Sequence, residues 1–305
     1  VVNALQVFLI SLLTTAITSP FIMRLLISLK SHQTIHKDAP ETHQMKAGTP
    51  TMGGLMVLAG TAAGLILAQS WPMLTLLLGF GLIGFTDDFI VPRMMSGKRG
   101  LGWMPKLAMQ VIFGIAALWQ LNLAPWALGT GLFFILFFTN AYNFADGLDG
   151  LAGLLGIFMA LTIFMIHPTS APLALLGGLV VFLIYNAPPA KVFMGDVGAL
   201  AIGAVFGLLF MQATLPNSGS FLEYILSRRF WIMAIWSLVM IAELVPVPLQ
   251  IFSVKVFKKK LFPYTPIHHA FEKAGWPETR VTFMFTMVQA ACGIVAVLMM
   301  QELGA

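Results

Sequence analysis

Five aspartates stand at the ends of long apolar runs: Asp87 and Asp88 in GFTDDF, Asp146 and Asp149 in NFADGLDG, and Asp196 in VFMGDVG. The chain has only 12 acidic residues, so these five take a large share of its negative charge. A carboxylate near hydrocarbon is expensive and persists where it has a partner or a task. Oxygen ligands gathered on one membrane face suit Mg²⁺, a hard cation that combines carboxylates with substrate phosphates. The chemistry this pattern spells is metal-assisted work on a phosphate-bearing substrate.

Each motif also has an ordinary structural role to weigh. Asp87 and Asp88 could cap a helix end, but negative charge at a helix C-terminus opposes the macrodipole, and adjacent carboxylates repel. The functional reading is a metal ligand beside a general base or phosphate-orienting group. Asn140, Asn143, Asp146 and Asp149 recur every third residue and share a face if the helix continues through them. Gly147 and Gly150 make a break there plausible, which would bring backbone N–H groups close to a ligand. Asp196 could act as an N-cap. Pro188 and Pro189 stop the preceding helix. Phe193 either anchors its loop in the bilayer or stacks on a base. His268 and His269 could bind phosphate or relay a proton, although a histidine pair alone is usually structural.

The elements that must position these residues are membrane spans. The chain has 305 residues, is 58% hydrophobic and only 10% charged, and has a mean hydropathy of +0.89. Soluble domains carry about 25% charge, so the fold class expected is an all-α polytopic membrane protein, a single integral unit over residues 1–305. Ten spans are expected near 3–29, 52–70, 73–90, 106–121, 127–143, 150–167, 172–187, 197–215, 230–253 and 281–301. The first apolar run is too long for a signal peptide and reads as a span. Glu243 lies inside the ninth span with Pro246 and Pro248 after it, so that span should be kinked or broken; the role of Glu243 stays open. The single Cys292 reads as a small buried side chain.

With ten spans, the loops after spans 1, 3, 5, 7 and 9 and their flanks hold fifteen of the seventeen Lys and Arg, leaving Arg228 and Arg229 opposite. That face should be cytoplasmic, with both termini outside. All five aspartates and five of the six histidines map to it, His167 being the exception. The net charge of +5 sets topology here and is no sign of nucleic-acid binding. An acidic site ringed by basic side chains suits a nucleotide substrate. An ion-coupled transporter is the reading from a different class, but it predicts facing acids near the midplane and repeat symmetry.

Five stretches, in order, carry a resemblance: KAGTPTMGG (46–54), FTDDF (85–89), NAYNFADGLDGLAG (140–153), NAPPAKVFMGD (186–196) and TPIHHAFEKAGWPETRV (265–281). Together they resemble the polyprenyl-phosphate N-acetylhexosamine-1-phosphate transferase superfamily. The last stretch resembles its muramoyl-pentapeptide branch more than the enzymes using UDP-N-acetylglucosamine. The resemblance implies a homodimer in the bacterial cytoplasmic (inner) membrane, with ten spans and a cytoplasmic cleft. It implies transfer of phospho-MurNAc-pentapeptide from UDP-MurNAc-pentapeptide to undecaprenyl phosphate, giving lipid I and UMP with Mg²⁺. By the same resemblance Asp196 is the Mg²⁺ ligand, Asp87 and Asp88 are the essential pair with Asp87 the candidate base, and Asn186 is a further active-site residue. Lys46, Gly147, Leu148, Asp149 and Phe193 should surround the uracil, and Thr51, Asn143, Asp146 and Gly195 the sugar-phosphate. His268 and His269 should face the cleft, where the family usually has a third histidine in place of Ala270.

Overall fold

In hydrocarbon a peptide group must find its partner within the protein, and a helix supplies that partner within one segment. All regular structure among the described residues is accordingly helical. The computed structural model describes residues 3–29, 48–95, 100–215 and 220–304. Its first helices are α1 (Ala4–Ser28), α2 (Gly54–Leu67) and α3 (Trp71–Phe85), followed by a π-helical turn (Thr86–Ile90) and the short α4 (Val91–Met94). Next come α5 (Trp103–Trp119), α6 (Pro125–Ala145), α7 (Leu151–Ile166), α8 (Ser170–Asn186) and α9 (Gly195–Thr214). The remainder comprises α10 (Phe221–Leu226), α11 (Arg228–Trp236), α12 (Leu238–Leu244), α13 (Pro246–Phe257), α14 (Ile267–Lys273) and α15 (Glu278–Gly304).

Among the described residues six segments are long and apolar enough to cross a membrane: Ala4–Ser28, Trp71–Met94, Pro125–Ala145, Gly195–Thr214, Leu238–Phe257 and Glu278–Leu303. The other four expected spans correspond to shorter apolar helices, Gly54–Leu67, Trp103–Trp119, Leu151–Ile166 and Ser170–Asn186. At 1.5 Å per residue, a helix of 14 residues such as α2 rises only about 21 Å, against a hydrocarbon thickness of about 30 Å.

Helix α9 is the axis of the assembly. It is apolar around its whole circumference, as a helix surrounded by protein should be, and nearly all its side chains are buried. It packs chiefly between α3 and α6. The α6 contact is backbone-close: a Cβ on Gly203 or Gly207 would come within 2.5 Å of the Phe138 or Phe134 carbonyl oxygen. Without hydrophobic exclusion between helices, such small-residue contact and dispersion hold the bundle together. Polar side chains add links elsewhere. The Ser11 hydroxyl donates to the Ala174 carbonyl at 2.6 Å, joining α1 to α8, and Trp236 Nε1 donates to Thr162 Oγ1 at 2.9 Å.

The ninth expected span divides into α11, α12 and α13; Pro246 and Pro248 account for the α12–α13 boundary, whereas the α11–α12 boundary falls at Ser237. Pro246 opens α13, where its missing N–H is not needed. The break leaves Glu243 in the last turn of α12 with its side chain wholly buried. Replacing Gly207 by Val should push α9 off α6 and cost about 1–3 kcal/mol. The expected readout is a lower thermal unfolding midpoint in detergent, and an unchanged midpoint would show that α9 and α6 do not need this contact.

A candidate acidic active site

Three chain segments deliver carboxylates to one place. Asp87 and Asp88 sit in the π-helical turn that ends α3. The wider π-turn redirects side chains out of helical register, a device common at functional sites. Asp196 lies in the first turn of α9. Oxygens of Asp87, Asp88 and Asp196 all lie within 4.8 Å of one another. Asn143 reaches in from α6 and donates through Nδ2 to Asp196 Oδ1 at 2.8 Å. The Val197 backbone N–H donates to Asp88 Oδ2 at 3.3 Å.

One cation offsets this cluster among the described residues. Lys106, in the first turn of α5, donates to Asp196 Oδ2 at 2.7 Å and to Asp87 Oδ2 at 3.0 Å. The second Asp87 oxygen, Oδ1, accepts the Leu101 N–H at 2.6 Å. The sequence reading counted Lys106 only as a topological charge. A lysine at the mouth of an apolar helix was the available signal, since such a charge needs a partner.

The helix carrying the Asn140-Asn143-Asp146-Asp149 spacing stops at Ala145. The continuous polar face is therefore interrupted, and Asn140 turns back to donate to the Leu136 carbonyl at 2.7 Å. Asp146 lies just beyond the helix, beside Asp196 and Asp88. Burial first, and then the charges of Asp196 and Asp88, push its carboxyl well above the ordinary carboxylate range.

Gly195 has φ +72°, a left-handed conformation that disfavours side chains. A Cβ there would also meet Asp88 Oδ2 at 2.6 Å and Thr51 Oγ1 at 2.8 Å. Thr51 and Gly195 therefore belong to the wall of the acidic cluster.

Of the residues expected at the base, Gly147, Leu148 and Asp149 share one turn and Phe193 lies on the 187–194 loop. The Phe193 N–H donates to the Pro50 carbonyl at 2.9 Å, and its own carbonyl accepts the Gly53 N–H at 2.7 Å. The 187–194 loop is thereby stitched to the segment before α2. Asp149 Oδ2 accepts the Ala190 N–H at 2.9 Å, and the Asp149 N–H donates to Glu278 Oε1 at 2.7 Å. Asn186 is buried and bridges two loops, accepting from Gly150 N at 3.1 Å and donating to the Val192 carbonyl at 2.9 Å. Its role here is to hold the loops, a contribution that a side-chain inventory does not reveal. Leu148 points into the hydrophobic core. Lys46 lies outside the described residues.

The two histidines differ. His269 Nδ1 lies 2.6 Å from Glu272 Oε2, one turn along α14. His268 is wholly buried rather than open to a cleft, and its Nδ1 lies 2.8 Å from Glu243 Oε2. Its Nε2 has no hydrogen-bond partner among the described residues and points at Gly147, where a Cβ would lie only 2.4 Å away. Glu243, whose role the sequence left open, thus joins the broken ninth stretch to the 146–149 turn.

The donor set fits a divalent cation. It is all oxygen, carries several negative charges, and already draws in an ammonium as a stand-in. Such a site can bind a metal, hold phosphate through it, and orient a nucleophile.

Comparison with known proteins points the same way. A family model described as glycosyl transferase family 4 matches residues 70–214. A phospho-N-acetylmuramoyl-pentapeptide-transferase signature matches residues 46–58. The chain is similar to proteins of that name from Moorella thermoacetica, 34% identical over 96% of this chain and 98% of that protein. The corresponding protein of Caldanaerobacter subterraneus is 33% identical over 92% and 93%, and that of Lactobacillus acidophilus 35% over 93% and 94%.

A wholly buried carboxylate–imidazole pair has a checkable signature. Glu243→Ala and His268→Ala should each destabilise the protein, and together by less than their sum, with a coupling of about 1–3 kcal/mol. Unfolding midpoints of the two single variants and the double variant measure it, and strict additivity would show that the pair does not interact.

Proposed function

Because the chain belongs to the phospho-N-acetylmuramoyl-pentapeptide-transferase family, we propose that its acidic cluster is the active site of a ten-span enzyme, open to the cytoplasm. The enzyme is a glycosyl-1-phosphate transferase of peptidoglycan synthesis that passes phospho-MurNAc-pentapeptide to a lipid carrier. The donor is UDP-MurNAc-pentapeptide and the acceptor undecaprenyl phosphate, with lipid I and UMP as products. The observation that carries the site assignment is the convergence of Asp87, Asp88 and Asp196 within 4.8 Å.

In the proposed step a lipid-phosphate oxygen attacks the β-phosphorus of the nucleotide sugar. A new P–O bond forms as the bond from that phosphorus to the bridging oxygen breaks, and the electron pair leaves on UMP. The acceptor needs little help from a base, because a phosphate monoester with a second pKa near 6 is largely ionised at neutral pH. Asp87 therefore orients more than it deprotonates, in keeping with its hydrogen bonds to Leu101 and Lys106. Asp196 would hold Mg²⁺, aligned by the Asn143 amide, and the bound ion would neutralise diphosphate charge. Positioning and charge compensation are what phosphoryl transfer asks of a protein.

Around this centre Thr51, Asn143, Asp146 and Gly195 line the sugar-phosphate pocket. Gly147, Asp149, Phe193 and the Leu148 backbone surround the uracil, with Lys46 contributing from the first loop. The breaks flanking α12 open a groove for the polyprenyl chain, and a second copy completes a homodimer. The count of fifteen of seventeen Lys and Arg on the loops of the expected face that also carries the five aspartates supports a cytoplasmic site in the bacterial inner membrane.

Purified protein in detergent should release UMP only when UDP-MurNAc-pentapeptide, undecaprenyl phosphate and Mg²⁺ are all present. UDP-N-acetylglucosamine should not replace the donor, and equal turnover with it would overturn the substrate assignment. Asp196→Asn should lose turnover by at least roughly a hundredfold, in line with the loss of a group stabilising transition-state charge. Substantial Mg²⁺-dependent activity in that variant would remove Asp196 from its role.

A further inference from the structure

Asp87 and Asp196 share a pattern. In each, one oxygen is tethered to the protein: Asp87 Oδ1 to the Leu101 N–H at 2.6 Å, and Asp196 Oδ1 to the Asn143 amide at 2.8 Å. In each, the other oxygen is given to the Lys106 ammonium, at 3.0 and 2.7 Å. The tethered oxygens fix the carboxylates in place. The two remaining oxygens converge on one point, and an ammonium sits there.

A divalent cation drawn to the same oxygens cannot share them with that ammonium. Mg²⁺ binds carboxylate oxygen at about 2.0–2.1 Å with near-octahedral demands, and two cations that close repel strongly. Lysine is suited to leaving: a compact point charge on a flexible four-carbon stem, with its side chain 22% exposed here.

We propose that Lys106 is a resident counter-ion that exchanges with the metal. It holds Asp87 and Asp196 together in the unloaded enzyme, yields their Oδ2 atoms when the divalent cation enters, and turns its freed ammonium toward the diphosphate. The proposal rests on the reading of the cluster as a metal site. It makes Lys106 a positioning residue that tunes metal affinity by competition, so that a better-bound metal is not a better enzyme.

The test uses Mn²⁺ as probe, titrated into the purified protein in detergent without nucleotide and followed by electron paramagnetic resonance. Lys106→Gln should bind Mn²⁺ roughly tenfold tighter than the parent, a change well within what one removed charge at contact distance supplies. Lys106→Arg, which keeps the charge, should stay close to the parent. UMP release by Lys106→Gln at saturating metal should nonetheless fall. If Lys106→Gln does not fold, Lys106→Met preserves the stem and serves the same comparison. Asp196→Asn is the control that separates the two readings. Mn²⁺ affinity in the Lys106 variant equal to or weaker than the parent, with binding lost in Asp196→Asn, overturns the exchange and leaves the metal site standing. Unchanged binding in Asp196→Asn overturns both.

Discussion

Three carboxylates, those of Asp87, Asp88 and Asp196, gather at the ends of apolar helices, and one ammonium among the described residues, that of Lys106, offsets them. That imbalance of charge governs what surrounds it. Charge at membrane depth must be paired or solvated by protein dipoles, and here the protein supplies both. The Leu101 and Val197 amide N–H groups and the Asn143 side chain are directed at carboxylate oxygens. Even so, carboxylates outnumber the described cation, and an all-oxygen cluster of this kind suits a divalent cation.

Regular helices alone would not bring these groups together. The π-turn at Thr86–Ile90 turns Asp87 and Asp88 to the site. The left-handed Gly195 lets the chain pass close to Asp88 and Thr51 as α9 begins. The breaks flanking α12 place Glu243 beneath His268, so that a carboxylate inside an apolar stretch meets an imidazole from α14. Irregular backbone at membrane depth persists where it is buried in protein or lines a cavity, and each of these irregularities adjoins the candidate site.

Much of this was legible in the residues themselves. Hydropathy alone identified ten apolar segments, because the cost of exposing peptide groups in hydrocarbon leaves a strong imprint on composition. The break in the ninth stretch was legible from Pro246 and Pro248. The convergence of Asp87, Asp88 and Asp196 followed from their placement at helix ends of alternating direction. What the sequence could not reveal were partners fixed only by three-dimensional packing. Lys106 joins Asp196 across 90 residues, Glu278 joins Asp149 across 129, and Glu243 joins His268 across a loop. Asn186 shows the same limit: its bonds to Gly150 and Val192 join two loops that only the folded chain brings together. The four shorter apolar helices were largely legible too, only α2 ending clearly inside its expected span, at Leu67.

The burial of α9 has a further consequence. A helix gripped on all sides, backbone against backbone at Gly203 and Gly207, is the least free of all the elements to shift. Asp196, at its first turn, is therefore carried by the most deeply packed element, whereas Asp87 and Lys106 lie in an irregular turn and at the start of a more exposed helix. The three groups joined by the Lys106 ammonium thus differ in how firmly the surrounding protein grips the backbone beneath them: one stands on the bundle's innermost helix, the other two on its outer elements.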